Sequence, residues 1–164
     1  MAGIAPKRSV ASAARGQRFA VIAARFNEPI SKKLLDGALT ALGKHGVTGD
    51  AVEVHWVPGS FELPQAAMVL ARSGRFAAVV CVGVVIKGAT PHFDYVCSVA
   101  ATGISRVALD TGIPVTFGVI TALTEEQAWE RAGGAVGNRG EEAALAALEM
   151  AGWLRARRRG RSRR

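Results

Sequence analysis

Ten consecutive residues, Ala77-Ala78-Val79-Val80-Cys81-Val82-Gly83-Val84-Val85-Ile86, carry no polar side chain. Strand side chains alternate between two faces, so an apolar run without alternation predicts a strand covered on both sides. The run is too short to cross a bilayer. Such a strand belongs at the centre of a parallel sheet whose crossover helices form both covers.

The flanking sequence supplies those helices. A strand from Arg18 to Ala24 is followed by the polar break Arg25-Phe26-Asn27-Glu28, and Pro29 suits the first turn of a helix. Ile30, Leu34, Leu35, Ala38, Leu39 and Leu42 then recur at three- and four-residue spacing, one apolar stripe that Gly46 closes. The pattern repeats as strand 51–57 with helix 62–72, strand 76–86 with helix 92–109, and strand 114–121 with helices 124–132 and 141–154. Four strand-helix units in 164 residues predict one α/β domain built on a four-stranded parallel sheet.

Charge separates this domain from its ends. The chain carries +8, but Lys7, Arg8, Arg15 and Arg18 lie near one end and seven arginines fall within residues 155–164, with no acid in either stretch. Without those eleven, ten basic groups of the 21 face all 13 acids, and the body from Phe19 to Leu154 carries −3. The expected division is a basic segment 1–17, a domain 18–154 and an Arg-rich tail 155–164, the end runs being solvated and suited to weak polyanion contact by counterion release. Cys81 and Cys97 have no metal-ligand spacing and read as thiols of a reducing compartment. The first 18 residues lack the apolar stretch of a secretory signal and no later run is long enough for a membrane span, so the expected location is cytoplasmic.

Open parallel sheets bind ligands beyond the carboxyl ends of their strands. Three chemistry-bearing segments fall there: Arg25-Phe26-Asn27, Pro58-Gly59-Ser60-Phe61-Glu62-Leu63-Pro64, and Lys87-Gly88-Ala89-Thr90-Pro91-His92-Phe93-Asp94. Gly88-Ala89-Thr90 leads into a helix, where free N–H groups and the dipole suit a phosphate; equally, Gly88 serves a turn and Thr90 a helix cap. His92 stands at the positive end of that helix, which favours the neutral, proton-accepting imidazole, and Asp94 is placed to orient it or simply to complement the dipole. Phe26 and Phe61 lie outside the periodic apolar faces and suit a platform for a flat heterocycle. Glu62 suits sugar hydroxyls, or the helix dipole alone. In the glycine-rich stretch 131–140, Arg131 and Arg139 are expected to be free for an anion while glycines bend the chain between two helices. The Walker ending GK[ST], GxSxG, HExxH and a zinc-ligand cluster are all missing.

Taken together, Arg25-Phe26-Asn27, the run 58–64, the stretch Gly83 to Val96, Glu130-Arg131-Ala132-Gly133 and Gly137-Asn138-Arg139-Gly140 resemble the lumazine synthases. The resemblance covers residues 18–154, and several separated motifs in order are far more specific than any one. It implies a flavodoxin-like three-layer sandwich that forms homopentamers, sites shared between neighbours, small-molecule substrates, and neither cofactor nor metal. The implied reaction joins 5-amino-6-(D-ribitylamino)uracil to 3,4-dihydroxy-2-butanone 4-phosphate, giving 6,7-dimethyl-8-ribityllumazine. On the matching positions, Phe26 stacks on the pyrimidine, Ser60, Phe61 and Glu62 hold the ring and ribityl chain, and Val84, Val85 and Ile86 give backbone contacts. His92 moves protons; Ala89, Thr90 and Arg131 hold the sugar phosphate; Phe117 and Arg139 reach in from the adjacent subunit. The Arg-rich tail departs from the family pattern. Some members close into sixty-subunit capsids, and no extra residues between Gly134 and Asn138 oppose that packing here. Two rival readings use the same fold: a flavin- or lumazine-binding module without turnover, which has no need of His92, and a shell protein that binds polyanions.

Overall fold

The computed structural model describes residue 14 and residues 16–161, with side chains through Arg158. Most of the basic segment 1–17 and residues 162–164 of the tail lie outside the described residues. Ala14, within that segment, is buried in the core.

Four strands, β1 (Phe19–Ala24), β2 (Val52–Val57), β3 (Ala78–Ile86) and β4 (Val115–Ala122), form one sheet in the order β2-β1-β3-β4, every pair parallel. Helices α1 (Glu28–Lys44), α2 (Leu63–Arg72), α3 (His92–Thr111), α4 (Glu125–Glu130) and α5 (Arg139–Arg161) complete the layers. Alternate residues of the inner strands enter two separate cores. Phe19, Val21 and Ala23 of β1 and Ala78, Val80, Val82 and Val84 of β3 pack with Leu34, Leu42 and Leu148 of α1 and α5. Ala20, Ile22, Val79 and Cys81 pack with Leu63, Ala67, Ile104 and Val107 of α2 and α3. The expected three-layer α/β sandwich is therefore present, and the unalternating run is the strand with helices on both faces. Burial pushes the Cys81 thiol up to about 12, which leaves it an inert core group.

The chain departs from the sequence-based boundaries after β4. The glycine-rich stretch is a two-stranded antiparallel ribbon, β5 (Ala132–Gly134) with β6 (Gly137–Asn138), rather than a simple bend between helices. Asn138 explains where α5 begins. Its Oδ1 accepts from the Gly140 and Glu141 N–H groups at 2.9 and 3.1 Å, and its Nδ2 donates to the Lys33 carbonyl of α1 at 2.9 Å. One side chain thus satisfies two orphan donors of α5 and fixes that helix to α1. The contact requires glycine on both sides: a Cβ at Gly37 would sit 2.4 Å from the Asn138 amide, and one at Gly140 would sit 1.9 Å from the Leu34 carbonyl oxygen. At the other end α5 runs to Arg161, past the expected stop at Leu154; its exposed arginines are solvated but helical.

Gly140→Ala is expected to lower stability by about 3 kcal/mol in urea unfolding, because backbone must move to admit the methyl group. Gly43→Ala in α1, whose nearest new neighbour lies at 3.9 Å, is expected to be neutral or stabilising by up to about 1 kcal/mol. Equal responses would show that the α1–α5 approach is looser than described.

Candidate active site

The sheet reverses direction between β1 and β3: the chain steps from β1 to β2 on one side, then crosses back to β3 and on to β4 on the other. A crevice opens at such a point because the two chain ends leave the sheet toward opposite faces. After Ala24 the chain leans toward β2, with Arg25 N–H donating to the Val57 carbonyl at 2.8 Å and Phe26 N–H to that of Pro58 at 3.0 Å. Pairing of β3 with β1 ends at Val82, whereas pairing with β4 continues to Ile86. The backbone groups of Val84 and Ile86, which alternate with those of Val85 and Lys87 on the β4 side, therefore face the crevice without a β1 partner. The Val84 side chain itself is buried in the core.

Phe26 and Phe61 flank this edge. Asn27, the N-cap of α1, adopts the left-handed conformation at φ 58°, and its carbonyl accepts from Ile30 and Ser31 N–H at 3.1 Å each. This tight turn, which asparagine tolerates better than most residues, leaves the Phe26 ring 72% exposed. Phe61 is 54% exposed on the turn before α2, and Glu62 is the N-cap of that helix. Between them Ser60 is only 4% exposed, and its Oγ has no hydrogen-bond partner. A Cβ on Gly83 would lie 2.8 Å from that oxygen and 3.0 Å from Ala24 Cβ. Gly83 is a site-shaping residue that motif reading passed over, because a glycine inside an apolar strand does not reveal what approaches it.

The phosphate-like corner lies one residue beyond β3. Lys87 N–H still bonds to the Ala122 carbonyl at 2.9 Å, and after it Gly88, Ala89 and Thr90 are exposed. Among the described residues, nothing accepts from the N–H groups of these three. Pro91, not Thr90, is the N-cap of α3, and no side-chain capping bond is made. The capping explanation for Thr90 is thereby removed. His92 is the first residue of α3 and is exposed; no hydrogen bond joins it to Asp94 among the described residues, so Asp94 does not orient the ring here.

The two arginines differ from expectation. Arg131, at the C-cap of α4, donates to the Gln127 carbonyl at 2.9 Å and contacts the Glu130 carboxylate at 3.4 Å, while Arg139 pairs with Glu142. Both guanidinium groups are engaged rather than free, and their main chains are tied by Arg139 N–H to the Arg131 carbonyl at 2.9 Å. Phe117 does not converge on the crevice of its own chain. It pairs with Cys81 in mid-strand, five positions and about 17 Å before the end of β3. Its ring is 42% exposed on an edge strand.

The buried hydroxyl of Ser60 predicts a separation of stability from function. Ser60→Ala removes an unpaired polar group and should leave stability unchanged or raise it by up to about 2 kcal/mol. Gly83→Ala, which presses on the same oxygen, should destabilise. Thermal unfolding of both variants checks this, and a clear loss of stability in Ser60→Ala would show that its hydroxyl is satisfied within the chain.

Residues 16–155 match the family described as 6,7-dimethyl-8-ribityllumazine synthase. The match takes in all four strands of the sheet, the crossover helices, the turn 88–90, the β5–β6 ribbon and α5 as far as Arg155. The chain belongs to the lumazine synthase family.

Proposed function

We propose that the chain catalyses the condensation of 5-amino-6-(D-ribitylamino)uracil with 3,4-dihydroxy-2-butanone 4-phosphate to 6,7-dimethyl-8-ribityllumazine, a transferase step of riboflavin formation in the cytoplasm. The observation that carries this reading is the convergence, at the β1/β3 crevice of a chain in this family, of aromatic rings, unpaired strand backbone, the Ser60 hydroxyl and the uncapped turn before α3. In this reading the 5-amino group attacks the ketone and water leaves. Phosphate is then eliminated, and attack by the ribityl-bearing nitrogen closes the ring with loss of a second water. No oxidant or reductant enters the balance. The chain's work is orientation and proton transfer.

Phe26 stacks on the pyrimidine, and the backbone of Val84, Val85 and Ile86 meets its polar edge. Ser60, Phe61 and Glu62 hold the ring and ribityl chain. Ala89 and Thr90 offer N–H groups to the phosphate, with the α3 dipole behind them. Arg131 joins them by exchanging its weak contact with Glu130 for a doubly charged partner, which a guanidinium binds with two parallel bonds. His92 passes protons between the condensing amine and the leaving oxygens. Phe117 and Arg139 complete the site of an adjacent subunit in a homopentamer. The exposed Phe117 on an open edge strand, too far from its own crevice, supports that part of the reading. Sedimentation of the native protein as a lone chain would contradict it.

Mixing the protein with both substrates should accelerate lumazine fluorescence and phosphate release in equal amounts over a protein-free control. Arg131→Ala is expected to raise KM for the sugar phosphate about tenfold or more with a smaller effect on kcat. His92→Ala should lower kcat by about a hundredfold while binding is retained. Tight lumazine binding without turnover would instead identify a binding module that kept the pocket and lost the chemistry. Equal effects of both substitutions on both constants would overturn the assigned roles.

A further inference from the structure

The edge opposite the crevice has a chemistry that lumazine formation does not use. Helix α5 reaches it and continues to Arg161. After Glu149 the sequence holds no acid, and seven of the last ten residues are arginine. The negative end of a helix favours one or two cations in its last turn, which does not explain seven. Arg157 and Arg158 are exposed and make no ion pair among the described residues. The Arg157 guanidinium lies 3.8 Å from the ring centroid of Trp153, and that indole is 50% exposed, an unusual position for so large an apolar group in a charged stretch.

Beside this helix is a cleft of about 310 Å³ whose walls include Gln17, Phe76, Ile113 and Arg158. The Gln17 Oε1 is buried there with no donor. Arg18 and Arg75 extend the basic rim, although both are paired with Glu53 and lie against Phe76. The cleft, which Arg158 lines and Trp153 and Arg157 do not, and the stacked Trp153–Arg157 pair thus lie at the same end of α5. Charge alone suits any polyanion, and the indole adds a flat surface on which an unstacked base can lie.

We propose that the α5 extension is a docking surface for single-stranded nucleic acid, with phosphates held by Arg157 and Arg158 and a base stacked on Trp153 in place of the Arg157 guanidinium, which turns to the phosphate. The residues involved are separate from the β1/β3 crevice, so this surface stands or falls independently of the synthase reading.

Anisotropy of a labelled single-stranded oligouridine, titrated with the full-length native assembly at several salt concentrations, tests it. Log K should fall linearly with log salt, with a slope steeper than about −1.4, since each phosphate contact on a single strand contributes about −0.7. Trp153→Ala should weaken oligouridine about tenfold and leave inorganic polyphosphate binding unchanged. Arg157→Gln with Arg158→Gln, both at exposed positions, should flatten the slope by about 1.4 and weaken both ligands. Lumazine formation by all these variants should equal that of the unaltered chain. Binding that is absent at low salt, that is unmoved by Trp153→Ala, or that is displaced equally by polyphosphate or anionic vesicles of matched charge would overturn the proposal.

Discussion

The burial of β1 and β3 between two helical layers is the constraint on which the rest of the molecule depends. A strand whose side chains are apolar on both faces is stable only if both faces are covered, and four parallel strands obtain that cover from their own crossover helices. Two separate cores result, one under α1 and α5 and the other under α2 and α3. Because the covers occupy the faces, chemistry is confined to the strand ends. Because the strand order reverses between β1 and β3, those ends part and leave unpaired backbone where exposed aromatic side chains and the turn 88–90 are carried.

Close packing is achieved by removing side chains at the points of contact. Gly140 lets the start of α5 meet the Leu34 carbonyl, Gly37 admits the Asn138 amide, and Gly83 admits the Ser60 hydroxyl. The first two lock a layer. The third shapes the crevice. Asn138 combines both kinds of role, since one amide caps α5, reaches α1 and starts the segment that carries Arg139. The glycine-rich stretch is therefore a packing device before it is a ligand loop, and this is why it folds as a ribbon with its arginines paired.

The layers, and the strand ends that carry the candidate site residues, were legible in sequence because both follow from periodicity. The ten-residue apolar run could be little else than a central strand, and the stripe from Ile30 to Leu42 had to face a sheet. Contacts between distant segments were not legible. Nothing in the local sequence tells that Gly140 lies on Leu34, that Thr90 is left out of the α3 cap, or that Arg131 turns back on Gln127 and Glu130. The helical course of residues 155–161 was missed for a related reason: a run of arginines lacks an apolar period, and here a preceding packed helix carries it forward. The mid-strand position of Phe117 shows the limit most clearly, since the role proposed for it lies in another copy of the chain.

The proposed synthase requires that the β1/β3 crevice, and no other part of the surface, receives both substrates. A crystal structure of the full-length protein with a non-reacting ribitylaminopyrimidine and inorganic phosphate tests it most directly. The heterocycle is expected against Phe26 and the backbone of Val84 to Ile86, a ribityl hydroxyl on Ser60 Oγ, and phosphate on the Ala89 and Thr90 N–H groups. A pyrimidine found elsewhere, or a Ser60 hydroxyl still without a partner beneath a bound ligand, would contradict it.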